Sequence, residues 1–172
     1  MGDDGKLYVP DTFLPVYRSV IASADLVTPN GFEAGLLAEM PVTTHDQVRE
    51  ALVKIRALGP KIVVITSVVL DGGLLYLYAA MQGSSFRVSI PMLDYSFTGT
   101  GDLFAALLVG HLPALVTPEG LQQACLTALG KMHAVLNRTF ASGHRELQLV
   151  ASIADLQSDG GDRDGLFTLE VL

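Results

Sequence analysis

The chain has 172 residues, and its 18 acidic against 11 basic side chains give a formal net charge of −7. That length allows one domain with a real core and little more. The acidic balance, with no basic cluster, excludes a sequence-independent nucleic-acid binder, which needs a basic face. Hydrophobic residues make up 49% of the chain, a share that points to buried strands. No apolar run approaches the ~20 residues that a membrane helix needs. The longest, Phe104 to Val116, is interrupted by Gly110, His111 and Pro113.

The opening Met1-Gly2-Asp3-Asp4-Gly5-Lys6 is acidic and polar, unlike a secretory signal peptide. Lys6 stands where a myristoylation pattern wants Ser or Thr. A single cysteine, Cys125, leaves no internal disulfide to form and fits a reducing compartment, so a cytoplasmic location is expected. Cys125 falls within an apolar helical pattern and reads as a buried small hydrophobe.

In chain order, Leu7-Tyr8-Val9-Pro10 reads as extended and Pro15 to Ala22 as a short helix. Ala24 to Thr28 reads as a brief buried strand ended by Pro29-Asn30-Gly31. Phe32 to Ala38 has helical spacing, with Asn30 as N-cap and Glu33 three residues on. Thr43-Thr44-His45-Asp46 opens a helix through Leu58, on which Val48, Ala51, Leu52 and Ile55 form one stripe. Gly59-Pro60 stops it.

Lys61 to Thr66 is the clearest strand, β-branched and continuously apolar, as in a parallel sheet covered on both faces. Leu74 to Ala80 and Phe86 to Met92 read as antiparallel edge strands joined by a turn. Helices are expected over Leu103 to Leu112 and Glu119 to Phe140, an amphipathic piece around Leu147 to Leu156, and a last strand over Leu166 to Val171. Alternating strands and helices predict an α/β domain whose ligand sits at the carboxyl ends of strands.

Gly99-Thr100-Gly101-Asp102 stands at the opening of a predicted helix. Two glycines let backbone N–H groups approach an anion, and the helix start adds its positive dipole end. A carboxylate beside a bound anion points to chemistry: a base taking a proton from a hydroxyl next to a phosphate. The plainer reading is a turn whose Asp102 favours the helix start. Thr28, Thr66 and Ser67 are read as strand-ending hydroxyls at the same rim.

The stretch Asp94 to Asp102 resembles the signature of the ribokinase-like small-molecule kinases, in which a Gly-x-Gly-Asp element forms an anion hole. Met1-Gly2-Asp3, Leu7-Tyr8-Val9-Pro10 and Leu14-Pro15-Val16-Tyr17 are similar to the nucleotide-covering loop of the pyridoxal kinase family. Thr28-Pro29-Asn30 with Phe32-Glu33, Val63 to Ser67, and the terminal Val171-Leu172 also fit that family. The resemblance implies a ribokinase-like three-layer α/β/α sandwich with a mostly parallel sheet. It also implies a single α/β domain over 1–172, equivalent to the C-terminal, ATP-binding half of such a kinase, with the N-terminal half missing.

The resemblance further implies ATP-dependent phosphorylation of the 5′-hydroxymethyl of pyridoxal, pyridoxine or pyridoxamine. Asp102 would be the catalytic base and substrate contact, with Gly99, Thr100 and Gly101 as phosphate donors. Tyr8, Thr28, Asn30, Thr66 and Ser67 would bind ATP and its phosphates, and Asp3 and Glu33 would serve Mg²⁺. K⁺ or Na⁺ is the candidate monovalent cation beside the hydroxyls, and a homodimer is expected of a complete kinase. Two alternatives stay open: a catalytically silent chain that binds nucleotide or a full-length partner, and another hydroxymethyl or sugar kinase of the same fold. The four histidines, His45, His111, His133 and His144, lack metal-ligand spacing and read as structural or exposed. Asp155, Asp159, Asp162 and Asp164 read as a solvated loop.

Overall fold

The structure, a computed structural model, describes residues 11–70, 73–161 and 165–172. A helical turn at Asp11–Phe13 leads into α1 (Leu14–Ile21), β1 (Leu26–Val27), α2 (Gly31–Ala38), α3 (His45–Ala57), β2 (Ile62–Val69), β3 (Leu74–Met81) and β4 (Ser84–Pro91). Then come α4 (Thr100–His111), α5 (Pro118–Ala141), α6 (Ile153–Gln157) and β5 (Thr168–Val171). The chain gathers into two compact units. One runs to Met92 and takes back Thr168–Leu172, and the other is Leu93–Phe167.

The first unit holds a five-stranded sheet in the order β1-β2-β3-β4-β5. β1 lies parallel to β2, with Leu26 opposite Ile62 and Val27 opposite Val63; the other three pairings are antiparallel. The sheet is therefore mixed, not mostly parallel over the described residues. Continuous apolar character reports burial on both faces, not the direction of the neighbour. The two residues Gln82 and Gly83, the latter at φ 74°, join Met81 to its partner Ser84, and so short a link permits only an antiparallel pair.

β3 and β4 are also interior strands, not edges, because β5 returns from the far end of the chain to pair with β4. Five successive residues of β3, Tyr76 to Ala80, are accordingly buried. The α2 and α3 faces bury Ala34, Leu37, Ala38, Val48, Ala51, Leu52 and Ile55 in one cluster with Val63, Ile65, Val68, Tyr76 and Tyr78 of the sheet. Each large aliphatic side chain so buried contributes roughly 1.5–3 kcal/mol. The predicted stripe on α3 is the buried one.

A polar network stitches α3 to the sheet. The Tyr78 hydroxyl bonds His45 Nδ1, to which Arg87 Nη1 also donates at 3.2 Å. Arg87 Nε and Nη2 donate to Glu170 Oε2 at 2.9 and 2.6 Å, and its guanidinium lies 5.9 Å from the Tyr76 ring centre. His45 is thus a tie between elements.

Burial pushes the Tyr78 phenol above its ordinary value, with Arg87 partly opposing that rise. A phenol harder to ionise when folded leaves stability intact below its unfolded value near pH 10 and erodes it as pH climbs toward the folded value. Urea midpoints measured at pH 9 and pH 11 should therefore fall for the wild-type chain, and fall less for Tyr78→Phe.

In the second unit α4 packs on α5. Phe104 and Leu108 of α4 are buried, as are Leu121, Ala124, Cys125, Ala128, Leu129 and Val135 of α5. Cys125 is 0% exposed, and burial pushes its thiol up to about 12. Lys131, also buried, donates from Nζ to Leu156 O at 2.8 Å, at the carbonyl end of α6. Arg138 binds Asp155 Oδ2 through Nε at 3.0 Å and Nη2 at 2.8 Å, so Asp155 is a paired residue of α6 and not part of a solvated loop. No helix of the described residues is long and apolar enough to cross a membrane.

Candidate functional site

Of the residues singled out in the first unit, Asn30 and Thr66 meet just beyond the end of β1. Thr66 N donates to Pro29 O at 2.8 Å, and Asn30 forms a parallel bridge with Thr66. Thr28 and Thr66 are half-buried. Thr66 and Ser67 do not end the strand, however. β2 runs on to Val69, and its pairing with β3 shifts register between Ile65 and Val68. The extra residue is absorbed by Ser67, an exposed serine at φ 55°, in the left-handed region. For a residue with a Cβ that conformation costs on the order of 1–3 kcal/mol and persists where the surroundings impose it. Ser67, Gly31, Phe32 and Val68 line an open cleft of about 1170 Å³ that also touches α1 and residues 39–43. The ion pair of Arg18 with Glu39 stands at its wall.

Asn30 and Glu33 form a reciprocal cap on α2. Asn30 Oδ1 accepts from Glu33 N at 2.9 Å, and Glu33 Oε2 accepts from Asn30 N at 2.9 Å. The second Glu33 oxygen, Oε1, is left over from this box. Among the described residues no group of three His, Cys, Asp or Glu side chains is placed to hold a metal ion. One carboxylate oxygen suits Mg²⁺, which keeps several waters and takes its remaining ligands from phosphates.

In the second unit Gly99 is the N-cap of α4 at φ 91°, a conformation open to glycine, and Leu103 N closes the first turn on Gly99 O at 3.1 Å. Thr100, Gly101 and Asp102 are the first three residues of the helix. Their N–H groups have no partner within the helix. Asp102 is exposed, α4 has no side-chain cap, and no described residue bonds the Asp102 carboxylate. Asp102 stands in the first turn of α4, where its charge favours the helix start as the plainer reading has it, but its side chain makes no capping hydrogen bond. A row of backbone donors ends beside an unengaged carboxylate.

Asp3 and Tyr8 lie outside the described residues, as do Asp162 and Asp164. His111 Nδ1 bonds Leu107 O at 2.7 Å, His133 stands edge-on to Phe167 at 6.1 Å, and His144 Nδ1 is 3.1 Å from Ser142 Oγ. Sequence reading missed the supports of the Gly99 turn. Thr98 N donates to Arg145 O at 2.9 Å, Thr98 bridges Glu146, and Arg145 Nη2 reaches Ser96 Oγ at 2.5 Å. Nothing local in the polar stretch after Ser142 announces a partner almost fifty residues back.

The phosphomethylpyrimidine kinase family model matches residues 2–149. The pyridoxal kinase of Arabidopsis thaliana is 36% identical over 174 residues, spanning 92% of this chain and 56% of that protein. The pyridoxal kinase of Bos taurus is 35% identical over 189 residues, spanning 92% of this chain and 60% of that protein. Among solved structures, the Leishmania donovani pyridoxal kinase in complex with ADP and pyridoxine matches all of this chain and 58% of its own, at a TM-score of 0.84 and 29% identity. Plasmodium falciparum PdxK with AMP-PNP and PL matches 100% of this chain and 57% of its own, at a TM-score of 0.84 and 26% identity. The chain spans a little over half the length of these relatives. The ribokinase-like α/β fold expected from the sequence is borne out, with the sheet mixed. By its matched residues and its fold, the chain belongs to the phosphomethylpyrimidine kinase family, and within it is similar to pyridoxal kinases.

Proposed function

We propose that this chain carries the nucleotide-handling and catalytic part of an ATP-dependent kinase that phosphorylates the 5′-hydroxymethyl group of pyridoxal, pyridoxine or pyridoxamine. The observation that carries the reading is Asp102: an exposed carboxylate, unengaged by any described residue, three positions after a left-handed glycine at a helix start. Its carboxylate takes the proton of the substrate hydroxyl as that oxygen attacks the γ-phosphorus and ADP leaves. The N–H groups of Thr100 and Gly101, freed by the Gly99 turn, meet the charge that builds on the transferring phosphoryl group. Because they are fixed in the backbone, little reorganisation is needed at the moment of transfer.

In the first unit, Asn30 holds Glu33 by the reciprocal cap, and Glu33 Oε1 is the oxygen that would serve Mg²⁺. The ion supplies neutralisation of phosphate charge when bound. The hydroxyls of Thr28, Thr66 and Ser67 serve the phosphates or a K⁺ or Na⁺ ion, with Ser67 aimed by its bulge. Tyr8 covers the nucleotide and Asp3 assists the metal in this reading. A cytoplasmic location, supported by the lone buried thiol, and a homodimeric whole enzyme belong to the same proposal.

The metal role is separable from the cap role. In Glu33→Gln the amide oxygen still accepts from Asn30 N, so thermal stability should change by less than about 0.5 kcal/mol. The charge is lost, so the Mg²⁺ concentration that half-saturates ATP-dependent pyridoxal phosphorylation should rise about tenfold. Unchanged Mg²⁺ dependence would leave Glu33 a cap alone.

A further inference from the structure

The Gly99–Asp102 turn is held from outside its own helix by residues 145–148, and we propose that this stretch is a brace that sets the geometry of the turn, with Thr139 and Arg145 as positioning residues. The proposal rests on the reading of that turn as the phosphate-handling element. Two glycines within three residues leave the turn with little stiffness of its own, yet donors that stabilise a transferring phosphoryl group must be held within about 0.5 Å. The stiffness must come from neighbours.

Those neighbours are on the page. Residues 145–146 are tied to the approach to the turn by one isolated parallel bridge: Thr98 N donates to Arg145 O at 2.9 Å, and Thr98 bridges Glu146. The Leu147 side chain lies 3.8 Å from where a Cβ on Gly99 would stand, so it faces the glycine. The Arg145 guanidinium reaches Ser96 Oγ at 2.5 Å and Ser96 O at 3.5 Å, fastening the chain just before Thr98.

The brace in turn hangs from α5. The Thr139 hydroxyl, 0% exposed, donates to Val135 O at 2.8 Å and accepts from Gln148 N at 3.0 Å. A valine would fill the same core volume, so the hydroxyl is explained by its hold on Gln148. The Tyr95 ring stands edge-on to Phe140 at 5.2 Å and contacts Phe97 at 5.0 Å, a second tie between the approach segment and the end of α5. Both flanks of the brace thus refer the turn to one helix.

Amide hydrogen exchange on the full chain tests this directly. In Thr139→Val, exchange at the bonded amides of Gln148, Thr98 and Leu103 should quicken about tenfold, while amides of 124–129 in α5 keep their rates. Thr139→Ser, which restores the hydroxyl, should return the turn to wild-type exchange, a rescue that a packing role would not produce. Arg145→Ala, at an exposed position, should quicken Thr98 and Leu103 without touching α5. Fast exchange at Gln148 with Thr98 and Leu103 unchanged in Thr139→Val overturns the brace. If Thr139→Val loosens α5 itself, Arg145→Ala decides by the same criterion. Slowing of 99–102 in the wild-type chain by AMP-PNP with Mg²⁺ tests the phosphate reading separately. Its absence sinks that reading, while the ligand-free rates still judge the brace.

Discussion

Introduced into the complete kinase, Asp102→Asn should lower ATP-dependent phosphorylation of pyridoxal by about 10²–10⁴-fold, the usual contribution of a positioned general base. The substitution is nearly isosteric and changes one property, the ability to take a proton. The carboxylate is exposed, caps nothing, and bonds to no described residue. Removing its charge therefore leaves folding almost untouched, apart from the few tenths of a kcal/mol that an acid contributes in a first helical turn. Binding of ADP or AMP-PNP, measured by calorimetry, should stay within about threefold of the unaltered protein, because the backbone donors remain and a negative charge beside the phosphates is gone. The pattern of lost turnover with retained nucleotide binding separates a base from a binding residue. Retained turnover in Asp102→Asn would remove the base from the mechanism. A loss of nucleotide affinity that matches the loss of turnover would make Asp102 a binding group.

The largest expected effect on stability lies in the first unit. Gly59, which follows α3, has φ 137°, and a Cβ there would stand 2.5 Å from Ala22 O and 2.7 Å from Ala22 Cα. Both obstacles are backbone, so no rotamer change relieves them. Gly59→Ala should cost about 3 kcal/mol, combining left-handed strain with forced separation of two segments. In a chain of this size that is a fall of roughly 6–12 °C in Tm. Gly83→Ala is the matched control, since Gly83 also has positive φ but nothing lies within 4 Å of its Cβ position. It should cost only the conformational part, about 1 kcal/mol. Equal shifts for the two variants would mean that the approach to Ala22 carries no energy.

What could be read from residues in order was what short-range physics determines. The Asn30 and Glu33 box, the α3 stripe and the start of α4 at Gly99 each depend on residues within seven positions, and each stands as its spacing implied. The strand neighbours of β3 and β4 depend on where Thr168–Val171 returns, which no local pattern encodes. The left-handed Ser67 was invisible for a related reason. A serine is chemically ordinary at a strand end, and only the register of β3 against β2 forces the bulge. The brace at 145–148 likewise sits in a polar stretch whose composition resembles that of a free loop. Chemistry-bearing residues were legible because their types are unusual at their positions. Their supports are ordinary residues in unusual company.

Cys125 gives the chain a built-in clock. Its thiol is fully covered within α5 and ionises only near pH 12 while folded. Alkylation and oxidation proceed through the thiolate, so the folded molecule presents almost no reactive sulfur at neutral pH. An iodoacetamide adduct at this position records that α5 has opened. The labelling rate counts such openings, with no second cysteine in the chain to blur the reading.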